Sequence, residues 1–164
     1  MQRRLFTLGL VGIAVLAVGG GLAALWQPGL EGRRLSLAGR RQLGALAQAL
    51  LDGVLPAGDA ALQAHLTHFE DTVSAFPPAV RAELQQLLSL ACNAAGRFGL
   101  FGRATDLAEL PLAERRALLQ ELRFSRLAPR QQAYFALRDL NMAAFFAQPA
   151  SWAAVGYPGP RAIA

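Results

Sequence analysis

From Leu5 to Leu30 the chain carries no charged side chain, and Arg3 and Arg4 stand just ahead of that run. A spanning helix needs about 20 apolar residues, and Leu5 to Trp26 is long enough. Such a segment cannot enter the core of a small soluble domain without displacing everything else, so a membrane or an export machine must read it. Gly9, Gly12, Gly19, Gly20 and Gly21 dilute the run, and glycine lowers both helix propensity and apolar area. The composition is closer to a mildly hydrophobic export signal than to a permanent anchor. Either way, residues 31 onward are expected outside the cytoplasm, in the periplasm, free or anchored at the inner membrane by residues 5–26.

Arg3, Arg4 and Phe6 form an Arg-Arg-x-Phe pattern ahead of the apolar segment. It resembles the twin-arginine translocation signal, which implies the twin-arginine translocase as a partner and export of an already folded cargo. Gly21-Leu22-Ala23 offers a small-x-small cleavage site. The plainer expectation is a signal anchor oriented by its two arginines.

Beyond residues 1–30, the remainder of the 164-residue chain suits one domain of ordinary size. The formal charge is +5, and Arg3 and Arg4 supply two of the basic groups. Arginines and acids are interspersed and no recognition motif appears, so no nucleic-acid partner is expected. A single cysteine, Cys92, excludes an internal disulfide framework, a thiolate metal cage and haem attachment of the Cys-x-x-Cys-His type. After the leader, Val, Ile and Thr are sparse while Ala, Leu, Gln, Glu and Arg abound, which favours helices.

Residues 31–35 read as a linker between leader and domain, within a Pro28-Gly29 and Gly32 context. Apolar residues at three- and four-residue spacing then predict five helices. The first runs from Ser36, a good N-cap, to about Val54, with Leu43, Leu46, Ala47, Leu50 and Leu51 inward. Asp59 caps the second, whose stripe is Leu62, Leu66, Phe69, Val73 and Phe76. The third follows Pro77-Pro78 with Val80, Leu84, Leu87, Leu88 and Ala91, and stops at Gly96. Residues 96–110 read as an apolar, glycine-rich loop carrying Phe98, Leu100 and Phe101; a loop of that kind and length usually packs on something or acts. The fourth helix spans Pro111 to about Phe124, with Leu112, Leu118, Leu119 and Leu122 inward. The fifth opens at Pro129 with Tyr134, Phe135, Leu137, Leu140, Met142, Phe145 and Phe146, and Pro149 closes it. The expected architecture is all-α: a single helical bundle over 36–148, preceded by an N-terminal signal or transmembrane helix and followed by an irregular aromatic tail over 149–164.

Positioned titratable groups are scarce. His65 and His68 could share a metal across one helical turn near Glu70 and Asp71, but no further histidine completes such a site. A structural or solvated pair is the expectation, and a metalloenzyme the weakest reading. Cys92 lacks a nearby histidine and reads as a small buried hydrophobe, with pairing to another chain as the alternative. Gly96, Gly99 and Gly102 have the wrong spacing for a dinucleotide fingerprint. No catalytic, metal or cofactor-binding residue is expected in this chain.

Phe135-Ala136-Leu137-Arg138-Asp139-Leu140, then Phe145-Phe146, Trp152 and Gly156-Tyr157-Pro158-Gly159 resemble the C-terminal part of the gluconate 2-dehydrogenase subunit 3 family. Helix one running into Leu55-Pro56-Ala57-Gly58-Asp59 is similar to that family's opening segment. These are small subunits of membrane-bound flavin dehydrogenases of the glucose-methanol-choline (GMC) type. The resemblance implies a non-catalytic subunit that carries the export signal and escorts a large subunit. FAD is then expected in that large subunit, a dehydrogenase of sugars or alcohols, and a cytochrome c subunit is a further partner. Trp152, Tyr157 and Pro158 in the tail, with Phe98 and Phe101, are the expected contact residues, since Trp and Tyr are typical interface anchors. The competing expectation is a free-standing periplasmic or membrane-anchored helical protein that binds a small apolar ligand or lipid in its bundle.

Overall fold

A computed structural model describes residues 26–160. The predicted signal residues Arg3, Arg4 and Phe6, and the apolar run up to Leu25, lie outside the described residues. Among the described residues, seven α-helices follow a minimal hairpin, and no helix is long and apolar enough to cross a membrane.

Ser36 begins the helical part as expected. Its hydroxyl accepts from Gly39 N–H at 2.9 Å, satisfying one of the free donors at the start of α1 (Leu37–Leu50). α1 is the axis of the bundle. It packs against α2 (Asp59–Ser74), α3 (Pro78–Cys92), α5 (Leu112–Arg123) and α6 (Ala128–Phe146). A helix so enclosed needs small or apolar residues almost all round. It buries Gly39, Leu43, Gly44, Ala45, Leu46, Ala47 and Ala49, with Gln42 the one polar exception. α1 stops at Leu50, short of Val54. Leu51 turns out of the helix at φ −106° and Gly53 takes φ +84°, so the chain reverses before Pro56 is reached. Gly58, not Asp59, is the N-cap of α2; Asp59 sits inside the first turn, where a carboxylate favours the helix dipole.

Residues 31–35 are not a spacer. Leu30–Glu31 (β1) pairs antiparallel with Arg34–Leu35 (β2) around Gly32, and Leu30 and Leu35 are buried in the core. The strands are too short to show as a period-two pattern, so no alternation in the sequence betrays them. Side chains of α2 and α3 hold this lead-in. Gly29 N–H donates to Ser89 Oγ at 3.0 Å, Leu30 N–H to Gln85 Oε1, and Leu35 N–H to Glu70 Oε1 at 3.0 Å. Gln27 exchanges two bonds with Asn93, at 2.9 and 2.8 Å. A side chain on Gly39 would collide with the Gly29 carbonyl, so glycine there lets lead-in and helix touch.

The predicted loop over 96–110 is largely structured. α4 (Ala94–Phe101) follows α3 after one extended residue, Asn93, and a short 3-10 turn spans Leu107–Glu109. Gly96 and Gly99 sit within α4 without breaking it, and Gly102 ends it. A Cβ on Gly96 would clash with the Leu90 carbonyl, so Gly96 is the contact that folds α4 back against α3. Gly99 faces open space, and Gly102, at φ +73°, is the left-handed stop. Leu112, Val80 and Phe135, expected inward, are exposed at 38%, 42% and 43%.

The tail is also ordered in part. Pro149–Trp152 forms α7 and Ala153–Val155 a 3-10 turn. Gly156 is left-handed, and Tyr157 N–H returns to the Trp152 carbonyl at 3.0 Å, the six-to-one bond of a helix-terminating glycine motif.

Candidate functional site

The titratable candidates come first. His65 lies on the inward side of α2 and is buried. Its Nε2 is 3.0 Å from Asn141 Oδ1 on α6. Asn141 Nδ2 donates to the Leu137 carbonyl at 2.7 Å, which orients the amide so that its oxygen faces the imidazole. His65 Nε2 therefore carries the proton and donates, leaving Nδ1 buried without a partner. Burial holds the His65 pKa below its ordinary value, the Asn141 bond opposes that shift, and the nearby His68 adds to it. His68 is more exposed and lies 3.9 Å from Asp71. The two histidines point into different surroundings and do not converge. Among the described residues, no group of three His, Cys, Asp or Glu side chains is placed to hold a metal.

Cys92, at the end of α3, is free and buried. Burial pushes its thiol up to about 11 against the pull of the Arg97 guanidinium, so it is protonated at neutral pH and a poor nucleophile. It lines an open cleft of about 730 Å³ between the lead-in, the start of α1 and the α3–α4 junction, together with Arg41, Asn93, Ala94, Arg97 and Asp106. Asp106 binds Arg41 Nε at 2.9 Å, Gln42 Nε2 at 2.8 Å and Ala108 N–H at 2.9 Å. Those donors hold its carboxyl below the usual range in spite of its partial burial.

The expected contact residues divide. Phe101 is 3% exposed and belongs to the core, whereas Phe98, on the same helix, is 64% exposed. Their three-residue spacing does not place them together, because Phe101 ends α4 where the chain turns inward. Trp152 is half-buried. Its Nε1 donates to the Phe146 carbonyl at 2.8 Å, its ring meets Tyr157 edge-on at 5.3 Å, and Gly159 packs against it. Tyr157 and Pro158 remain exposed. The tail thus folds onto the end of α6 and presents Tyr157 rather than Trp152.

Two exposed residues join Phe98 that the sequence pattern did not single out. Phe124 and Leu127 flank the α5–α6 turn and are 71% and 58% exposed. Arg130, one turn beyond Leu127, donates through Nε and Nη2 to the Gly99 carbonyl at 3.1 and 2.9 Å, clasping α6 to the helix that carries Phe98. Large apolar residues outside either flanking stripe, in Phe124-Ser125-Arg126-Leu127, are the signal that was available. Phe98 is thus exposed on α4 and Phe124 and Leu127 in the α5–α6 turn, with the Arg123 guanidinium over the Phe124 ring at 5.1 Å. Comparison of the chain with protein-family models, with curated proteins and with solved structures finds no match of any of the three kinds.

Proposed function

We propose that the protein is a non-catalytic small subunit of a periplasmic flavin-dependent dehydrogenase of the GMC type, acting on sugars or alcohols, and that it carries the export signal for the assembly. The observation that supports this most is the exposure of Phe98, Phe124 and Leu127, with Arg130 bonding the start of α6 to the Gly99 carbonyl beside Phe98. Isolated exposed apolar residues are ordinary, but three large ones around one fixed junction favour a partner. The resemblance of the helix-five and tail residues to the subunit 3 family supplies the identity of that partner, and the Arg3-Arg4 pair supplies the route. FAD would reside in the large subunit.

A second reading, a free-standing binder of small apolar ligands, is favoured by one feature. A cleft of about 340 Å³ opens between α1, α2 and α5, with Gly44, Ala45, Leu62 and Leu66 on its floor.

Export with its partner tests the proposal. The full chain is co-expressed with a large GMC-type flavin oxidoreductase that lacks a signal of its own, and periplasm and cytoplasm are assayed for both. Changing Arg3 and Arg4 together to Lys keeps the charge but alters the residues a translocase receptor reads. Both proteins should then be retained in the cytoplasm. Export of the flavoprotein regardless of this change, or failure of the two to co-purify, would rule the escort role out.

A further inference from the structure

We infer that the cleft between α1, α2 and α5 binds a small aliphatic carboxylate, with its apolar tail on Gly44, Ala45, Leu62 and Leu66 and its carboxylate on the guanidinium of Arg115. This names the ligand class for the cleft of the second reading and rests on that reading, not on the escort role.

The charge around the cleft is one-sided. Arg40, Arg41 and Arg115 line it, and no acid does. Two of those cations are already answered. Arg40 Nη1 meets Glu70 Oε1 at 2.7 Å, and Arg41 is shared between Asp106 and Glu109. Arg115 differs: among the described residues no acid lies within ion-pairing distance of it.

The way Arg115 is held makes that absence count. Its Nη1 donates to the Ala45 carbonyl at 2.8 Å and to Gln48 Oε1 at 2.7 Å. Both acceptors are neutral, and both belong to α1, which also supplies part of the floor. Its Nε is buried without an acceptor, and its Nη2 has none among the described residues. Burial lowers the Arg115 pKa from its ordinary value, and no carboxylate acts against that shift. A partly desolvated cation given only neutral oxygens is stabilised most by an anion that reaches it. Two bonds already fix its place, so little side-chain freedom is lost on binding.

The floor supplies the other half of the site. Ala45 and Leu66 are buried and Leu62 is partly so. Gly44 carries no side chain there, and a Cβ would touch the Leu62 and Leu66 methyls at 3.6 Å. A space of about 340 Å³ suits a small molecule. A wholly apolar ligand would leave Arg115 without a counter-charge, and a bare inorganic anion would leave the floor wet. A short alkyl chain ending in a carboxylate satisfies both.

Titration of the full-length chain in a nonionic detergent, at neutral pH and constant ionic strength, tests the site with three probes. Hexanoate carries tail and charge, hexanamide the tail alone, and acetate the charge alone. The readout is the chemical shift of the Gly44 and Ala45 amides and of the Arg115 Nε–H. Hexanoate should saturate, about tenfold or more tighter than either other probe. Arg115→Gln should weaken hexanoate by about tenfold and leave hexanamide unchanged. Because Arg115 also braces α1, a second variant guards against misfolding. Gln48→Glu, at an exposed position, gives Arg115 a carboxylate from its own chain. It should weaken hexanoate by about tenfold, spare hexanamide, and not lower the melting temperature. Equal binding of hexanoate and hexanamide, or hexanoate binding unchanged in Gln48→Glu, would overturn the carboxylate while leaving the cleft an apolar ligand. Equal binding of acetate and hexanoate would overturn the tail. No saturation with any probe would overturn this inference and the second reading together.

Discussion

At the scale of single residues, the His65–Asn141 pair couples the protonation of one imidazole to the packing of α2 on α6. Burial lowers the pKa of His65 in the folded chain, so below the ordinary value of 6.5 the unfolded chain takes up the proton first. The stability the neutral imidazole contributes is fully present above about pH 6.5 and declines as pH falls toward the depressed folded value. Asp106, also depressed, acts in a separate window, losing its contribution only below about pH 4. Denaturant unfolding should therefore show a fall in stability between pH 7 and pH 5. His65→Gln should flatten that slope while costing about 1–2 kcal/mol at pH 7 through poorer packing and hydrogen bonding. An unchanged slope in the variant would mean that another group titrates there. The place of His65 beside the Leu62, Leu66 and Phe69 stripe is legible from the helical period. Its partner is not, because Asn141 lies 76 residues away and only tertiary packing joins them.

At the scale of elements, the C-terminal turn separates two roles that the sequence presents together. Trp152 is spent on the end of α6 while Tyr157 faces out. Trp152→Ala should lower the stability of the bundle by about 2 kcal/mol, from lost apolar burial and one hydrogen bond. Tyr157→Ala should change stability by less than about 0.5 kcal/mol, as exposed positions do, yet weaken partner capture if the tail is part of the interface. Equal melting temperatures for Trp152→Ala and the parent would show that the turn does not pack as described. Helix starts were legible because capping is local: Ser36 and Pro78 announce α1 and α3 within a few residues. α4 was not. Its glycines look like loop residues until Gly96 is seen against the Leu90 carbonyl, a contact no local pattern encodes. Gln42 was missed for the same reason. It bonds Asp106 and Leu107 N–H from the middle of α1, fixing the 3-10 turn from 64 and 65 residues away.

At the scale of the whole molecule, the domain begins earlier than the composition suggests. A chain starting at residue 31 would lose the Gln27, Gly29 and Leu30 hydrogen bonds and the buried Leu30 side chain. Four bonds at roughly 1 kcal/mol and one leucine at about 2 kcal/mol predict a loss of about 6 kcal/mol. A chain starting at residue 26 should retain them, and urea unfolding of the two should differ by that amount; equal midpoints would show the lead-in to be dispensable. The proposed cut after Gly21-Leu22-Ala23 would leave the lead-in whole.

The stitching of Gln27 to Asn93 has a mechanical meaning as well. Between the last apolar residues of the run and the first anchored residue there is only Trp26, and one residue of extended chain reaches about 3.5 Å. An uncut leader held to a surface as far as Leu25 would thus be a leash with no slack. The body could neither drift from the surface that holds the leader nor spin freely above it, and the α3–α4 junction, where Asn93 sits, would be the corner kept nearest that surface. Any partner would have to approach from the faces left clear.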